Sequence, residues 1–208
     1  MWKTFYMEKK MEIKLGKGKI LFKKMFKIIK ISLIIFSVSF NLNASSNKIL
    51  VDKLQKGEKI IFIRHALAPG SGDPSNFQLG DCNTQRNLNI EGIEQSKKIG
   101  LFFYQNNIPI DEVLSSEWCR CKDTAKYAFK NFKTYTALNS FFSEKFQKNK
   151  DEQILELKKY LKNWKSKKNL VLITHYVVIL ETLDKTVSSG EIVIADKNLN
   201  FIGSISDY

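Results

Sequence analysis

The chain has 208 residues, of which 43% are hydrophobic, and it carries a formal net charge of +13. This length and composition predict one ordinary globular domain with a sizeable core. The charge alone would suggest a nucleic-acid or membrane-surface protein, but residues 1–44 hold ten lysines and two glutamates, and so +8 of the total. The remaining +5 is dispersed, and we therefore expect no nucleic-acid partner.

Residues 1–44 have the pattern of a signal peptide. A basic region precedes an apolar stretch from Ile28 to Phe40, and Ala44 stands at the expected cleavage position. Met25 offers an alternative start that leaves a basic region of ordinary length. Because the apolar stretch is shorter than the roughly 20 residues that span a bilayer, cleavage is favoured over a membrane anchor. We expect a periplasmic mature chain of residues 45–208 with no stable membrane span.

The first buried strand is predicted at residues 60–63, four large apolar residues in a row that end in Arg64 and His65. The carboxyl end of such a strand is where ligands bind in an open α/β sheet. A loop over residues 66–87 follows, rich in Gly, Pro, Ser, Asp and Asn. A loop of this length is usually functional, and it contains Arg86.

Helix and strand patterns then alternate along the chain. Residues 90–104 predict an amphipathic helix with Asn89 as its cap. Residues 112–116 predict a strand that leads into a helix at about 117–129. Ser116 is expected to cap that helix, and Arg120 falls in its first turn, where free N–H groups and the helix dipole favour an anion.

The second half of the chain repeats the design of the first strand. Residues 135–150 are expected to form a rim or cap that carries Glu144, and an amphipathic helix is predicted at 154–164. A second apolar run, residues 170–173, ends in Thr174 and His175. Parallel pairing of the two runs would place both histidines at one edge of the sheet. A helix at 177–183 and a hairpin of 191–195 with 201–205 complete the prediction.

Three cysteines, Cys82, Cys119 and Cys121, raise the question of a disulfide. Export implies an oxidising compartment, and a bridge from Cys82 to either of the other two would tie the long loop to the helix of Arg120. The alternative is three free thiols.

Histidine and arginine are rare in this lysine-rich chain, which has two histidines and only three arginines, Arg64, Arg86 and Arg120. An arginine at a position in a chain that otherwise uses lysine indicates a need for a planar, bidentate cation, usually for phosphate or carboxylate recognition. The alternatives are hydrogen-bonded structural histidines and a solvated Arg86. A zinc site built from both histidines and a cysteine has poor ligand spacing.

Three segments in this order resemble the histidine phosphatase superfamily. They are Arg64-His65-Ala66, the run from Ser115 to Ala125 with its pattern Ser-Ser-x-x-x-Arg-x-x-x-Thr-Ala, and Thr174-His175-Tyr176. The segment from Arg86 to Gly92 is similar to the one that precedes the first helix of the family. The resemblance spans about residues 59–195. It implies the phosphoglycerate mutase-like fold, a three-layer α/β/α sandwich with a mostly parallel central sheet.

The resemblance also implies roles for the site residues. His65 would be the nucleophile that forms a phosphohistidine, and Arg64, Arg86, Arg120 and His175 would bind the phosphoryl oxygens. No metal or other cofactor is implied. The segments around the cysteines resemble an exported branch related to lipopolysaccharide core heptose phosphatases and phosphohistidine phosphatases. The expected function is hydrolysis of a phosphomonoester, on a small molecule or an envelope glycan.

Two departures from the family pattern keep alternatives open. Ala66 and Tyr176 stand where the family has glycine, and no segment matches the acidic motif of the mutases. Asp73, Asp81 and Glu144 are the candidate proton donors, and lack of a strong donor would favour a substrate with a good leaving group. A phosphate-binding module of the same fold without turnover is the second reading, and a mutase is a weaker third.

Overall fold

The computed structural model describes residues 47–208. The predicted signal peptide, its cleavage position and the alternative start at Met25 lie outside the described residues. Within them, residues 49–208 form one compact unit. None of the helices described there has the length and apolar character needed to cross a membrane.

Six helices and six strands make up the described part of the chain. The helices are α1 (47–55), α2 (Ile90–Gln105), α3 (Cys119–Phe129), α4 (Glu144–Gln147), α5 (Lys150–Asn163) and α6 (Tyr176–Leu183). The strands are β1 (Ile60–Arg64), β2 (Ile110–Ser115), β3 (Lys133–Thr134), β4 (Asn169–Thr174), β5 (Ile192–Ala195) and β6 (Phe201–Ile205). Two short 3-10 turns lie at Cys82–Thr84 and Thr136–Leu138.

The strands form one sheet in the order β3-β2-β4-β1-β5-β6. Strands β1 to β4 pair with one another in parallel, whereas β5 and β6 are the antiparallel hairpin that the sequence predicted. β1 lies beside β4, with Arg64 opposite Thr174. The two apolar runs therefore end side by side, which confirms that both histidines follow the same edge of the sheet.

Helices cover both faces of the sheet because successive strand residues point to opposite sides. Ile61 and Ile63 pack with residues of α1, α2 and α3 on one face, while Ile60 and Phe62 pack with residues of α5 and α6 on the other. All four of these side chains are fully buried. The predicted three-layer α/β/α architecture is confirmed.

The start of α3 differs from the prediction. The helix begins at Cys119, two residues later than expected, and Trp118 is its N-cap without a side-chain cap bond. Ser116 is therefore not the N-cap residue, although its hydroxyl accepts a hydrogen bond from the Trp118 N–H at 3.3 Å. The predicted cap of α2 is confirmed, since the Asn89 side chain accepts a hydrogen bond from the N–H of Gly92 at 2.9 Å.

Candidate active site

A cavity of about 390 Å³ opens beside the carboxyl ends of β1 and β4. Its lining includes the two histidines and all three arginines that the sequence singled out: Arg64, His65, Arg86, Arg120 and His175. The centroids of the two imidazole rings lie 5.5 Å apart, with an edge-to-face arrangement. Residues from four separate segments thus converge on one site.

His65 is held in one tautomer by the backbone. Its side chain is buried, and its Nδ1 lies 2.8 Å from the carbonyl oxygen of Ala66. A carbonyl only accepts hydrogen bonds, so Nδ1 carries the hydrogen and Nε2 keeps a free lone pair. Burial and the nearby charge of Arg120 hold the pKa of His65 well below its usual value, against a smaller opposing effect of the Ala66 bond. The ring is therefore neutral at neutral pH, with an unprotonated Nε2.

Thr124 connects this histidine to the helix that carries Arg120. Its hydroxyl accepts a hydrogen bond from the Ala66 N–H at 3.0 Å and donates one to the Arg120 carbonyl at 2.7 Å. Thr124 is the threonine of the Ser-Ser-x-x-x-Arg-x-x-x-Thr-Ala pattern, to which no role was assigned from the sequence. Its position four residues after Arg120, on the same face of α3, is consistent with this contact.

His175 belongs to a second hydrogen-bond network. Its Nε2 lies 2.9 Å from the hydroxyl of Ser116, which also lies 3.1 Å from Oδ1 of Asn139. Ser116 has one hydrogen for these two acceptors, so the direction of its hydroxyl selects the tautomer of His175. When Ser116 donates to Nε2, the Nδ1 hydrogen is free to bind an anion. Burial, followed by the charge of Arg120, holds the pKa of His175 well below its usual value.

The three arginines differ in what they contact. Nη1 of Arg64 donates to the Val187 carbonyl at 2.7 Å, and its guanidinium lies 5.7 Å from the centroid of the Tyr176 ring. Arg86 donates from Nε to the carbonyl of Gly72 at 2.8 Å and from Nη1 to that of Ala68. The loop before Arg86 is therefore wrapped around its guanidinium.

Arg120 forms a bidentate ion pair with Asp73. Nη1 lies 2.6 Å from Oδ1, and Nη2 lies 3.2 Å from Oδ2. Burial favours the neutral carboxyl, but the hydrogen bonds and charge of Arg120 outweigh it, and the pKa of Asp73 falls below its usual value. Asp73 is therefore ionised at neutral pH.

The other two candidate proton donors lie elsewhere. Asp81 begins a 3-10 turn, where its side chain accepts from the Asn83 N–H at 3.0 Å. Glu144 begins α4 and is exposed. Neither lines the cavity, so Asp73 is its only carboxylate among the described residues.

A disulfide joins Cys82 and Cys119, one of the two pairings that the sequence left open. Cys121 is free and buried, and burial raises the pKa of its thiol to about 12. The side chain of Gln85 reinforces the connection, because its Oε1 accepts from the Cys119 N–H at 2.9 Å. The loop of Arg86 and the helix of Arg120 are thereby fixed to each other.

The outer wall of the cavity is aromatic. Phe77, Trp118 and Phe146 form one cluster, and Phe142 packs against Tyr176 at 6.1 Å between centroids. Tyr176 stands at one of the positions where the family has glycine. Its ring takes up space next to His175 that a glycine would leave open.

Comparisons with known proteins extend these observations. No protein-family model and no curated protein sequence matches the chain. Among solved structures, a protein histidine phosphatase, SixA, complexed with tungstate superposes with a TM-score of 0.53 at 15% identity, covering 71% of this chain and 96% of the other. A phosphoglycerate mutase from Thermus thermophilus gives a TM-score of 0.50 at 15% identity, covering 72% and 99%. The described part of the chain therefore has the phosphoglycerate mutase-like fold.

Proposed function

We propose that this protein hydrolyses phosphomonoesters through a phosphohistidine on His65. The observation that carries the proposal is the buried, neutral ring of His65, with Nε2 free, in a cavity that three arginines line. A neutral imidazole nitrogen is a nucleophile toward phosphorus, and guanidinium groups stabilise the charge on the phosphoryl oxygens during transfer.

The reaction has two steps. Nε2 of His65 attacks phosphorus, and the bond to the ester oxygen breaks as the leaving group departs with its electron pair. A water molecule then attacks the phosphohistidine, breaks the P–N bond and releases inorganic phosphate, which restores the neutral ring. His175 and the arginines bind the oxygens in both steps.

The state of Asp73 narrows the range of substrates. Because this carboxylate is ionised and paired with Arg120, it has no proton to give to a leaving group. Leaving groups that depart without a strong acid are therefore favoured, such as an aryl oxide or the imidazole of a phosphorylated histidine. The similarity to a solved protein histidine phosphatase supports this class.

The decisive experiment looks for the covalent intermediate. The chain from residue 45 onward is mixed with 4-nitrophenyl phosphate and quenched in alkali, since the P–N bond is labile in acid. Intact-mass analysis should detect one added phosphoryl group, and peptide mapping should place it on His65. His65→Ala should lose the adduct and the turnover yet still bind phosphate through the arginines. Full turnover by that variant would reject the mechanism.

A phosphate-binding protein without turnover is the second candidate. The specific observation in its favour is that the only carboxylate lining the described cavity is ionised and already paired. Binding of phosphate, with neither adduct nor release from 4-nitrophenyl phosphate or a phosphohistidine peptide, would select this function instead.

We further propose that the protein is exported, on the basis of the signal-peptide pattern in residues 1–44. Mass spectrometry of the protein from a periplasmic fraction should give a chain that begins at Ser45. A chain that retains the apolar stretch would contradict cleavage.

A further inference from the structure

The carboxylate of Asp73 receives the set of donors that an anionic ligand would need. Its two oxygens accept from Nη1 and Nη2 of Arg120, from the backbone N–H of Arg86 at 3.1 Å and from Nε1 of Trp118 at 3.0 Å. Four donors, two of them from a guanidinium, make a complete site for a small oxyanion. In this structure the anion in that site is the Asp73 carboxylate, a side chain of the protein itself.

Asp73 occupies the face of Arg120 that two terminal nitrogens present. The side chain of Arg120 is only 4% exposed, Nη1 and Nη2 both donate to the carboxylate, and Nη1 also donates to the Arg86 carbonyl at 3.3 Å. Nε of Arg120 is buried and has no hydrogen-bond partner. A phosphoryl group therefore binds Arg120 in a bidentate manner, through Nη1 and Nη2 together, only if the carboxylate leaves. The same loop holds Arg86 through the carbonyls of Ala68 and Gly72. Residues 68–73 thus hold two of the three arginines.

The loop is attached at its ends and loosely packed in between. Ala68 is buried at one end, and Phe77 packs on Trp118 at the other. Between them Gly70 and Gly72 adopt φ angles of +91° and +67°, which other residues rarely adopt. A Cβ placed on Gly72 would meet no atom within 4 Å, so no side chain packs there. Polar contacts to the arginines, and not apolar packing, hold the middle of the loop in place.

We propose that Asp73 is a built-in competitor of phosphate, which a substrate must displace from Arg120. This inference rests on the proposed function, because it concerns the same cavity. The consequence is that every phosphoryl ligand binds at the same added cost, so that strong binding needs further contacts. Inorganic phosphate has only its oxygens with which to offset the lost ion pair, whereas an ester gains contacts with the aromatic wall of Phe142 and Tyr176. The substrate class is therefore a phosphomonoester with a bulky, ring-containing leaving group.

The experiment compares two charge-removing substitutions in the same loop. Asp73→Asn keeps the shape of the side chain and an acceptor for the Arg86 N–H but removes the charge that pairs with Arg120. Asp81→Asn is the matched control, since Asp81 does not line the cavity. Calorimetric titration with inorganic phosphate should give a Kd about tenfold lower for Asp73→Asn and unchanged for Asp81→Asn, because the internal charge-assisted pair no longer competes.

Other outcomes would overturn the proposal. Phosphate binding that is equal or weaker in Asp73→Asn would refute the competitor, and weaker binding would make Asp73 a residue that positions Arg120. Unchanged phosphate affinity, with kcat lost only for alkyl phosphates and kept for aryl phosphates, would make it a proton donor. Asp73→Ala, with its melting temperature checked, provides a second variant in case Asn still pairs with Arg120, and it too must bind phosphate more tightly.

The selectivity has its own measurement. Benzyl phosphate and methyl phosphate both have alkoxide leaving groups. Asp73→Asn should raise kcat/KM for the two esters by a similar factor, because each must displace the same carboxylate, and benzyl phosphate should remain the better substrate in both proteins. A higher kcat/KM for methyl phosphate than for benzyl phosphate in the unaltered protein would contradict selection by the aromatic wall. If the unaltered protein shows no turnover at all but Asp73→Asn still binds phosphate more tightly, the competitor stands and the phosphatase proposal fails.

Discussion

Removal of the disulfide between Cys82 and Cys119 tests quantitatively what holds the Arg86 loop. The bridge joins residues 37 positions apart. In the chain-entropy model, a loop of that length lowers the entropy of the denatured state by about 13 cal/mol/K, which is about 3.8 kcal/mol at 25 °C. We therefore expect the double variant Cys82→Ala/Cys119→Ala to lose about 3–4 kcal/mol in the free energy of unfolding. Urea denaturation followed by circular dichroism measures this difference.

Phosphate affinity should fall much less than stability, because Gln85 keeps the native loop in place. Its Nε2 donates to the carbonyls of Gln78 and Leu79 at 3.0 and 2.8 Å, and its Oε1 accepts from the Cys119 N–H. We expect the Kd for phosphate to rise by less than about tenfold, or about 1.4 kcal/mol. The reduced, unsubstituted protein is the control and should match the double variant. A stability loss under about 1 kcal/mol would refute the entropic account, and a parallel loss of binding would refute the role of Gln85.

Three further predictions concern the site. Burial depresses the pKa values of His65 and His175 below 6.5. As the pH falls below about 6.5, the unfolded chain therefore takes up protons that the folded chain does not. The free energy of unfolding should decline there by up to about 1.4 kcal/mol per pH unit for each histidine. Urea unfolding across that pH range measures the slope, and a flat profile would contradict it. Arg120→Lys should lower kcat/KM about 100-fold, because a lysine ammonium cannot replace a guanidinium fork, and steady-state kinetics with an unchanged value would show that the fork is not needed. Thr124→Val leaves the Ala66 N–H buried without an acceptor, so thermal unfolding should show a loss of about 1–3 kcal/mol, whereas Thr124→Ser should remain close to the unaltered protein.

The sequence predicts the centre of the fold better than its edges. Residues 60–63 and 170–173 are long apolar runs, and a run that is buried on both faces leaves few alternatives to a central parallel strand. The order of the strands does not follow from local sequence, because the pairing of β1 with both β4 and β5 depends on contacts between residues far apart in the chain. Strand β3, only Lys133 and Thr134, is exposed and too short to produce a hydrophobic pattern.

Within the site, strand ends could be predicted and side-chain partners could not. Arg64, His65 and His175 follow apolar runs, so their location is a property of local sequence. Ser116 stands before a helix and has the residue type of a cap, but its hydroxyl bonds to His175, 59 residues away. Asp73 is chemically identical to Asp81 in the same loop, and only the fold brings Arg120 to one of them.

The contacts of the three arginines explain why a lysine-rich chain has arginine at these positions. The Arg86 guanidinium donates from Nε and Nη1 to two carbonyls at once, and that of Arg120 contacts both oxygens of one carboxylate. Arg64 donates from Nη1 to a backbone carbonyl while the flat guanidinium lies against an aromatic ring. A lysine ammonium has neither the spaced donors nor the planar face for these contacts. Replacement of any of the three by lysine would therefore keep the charge of the cavity but lose the geometry that holds the loop, the carboxylate and the proposed phosphoryl group.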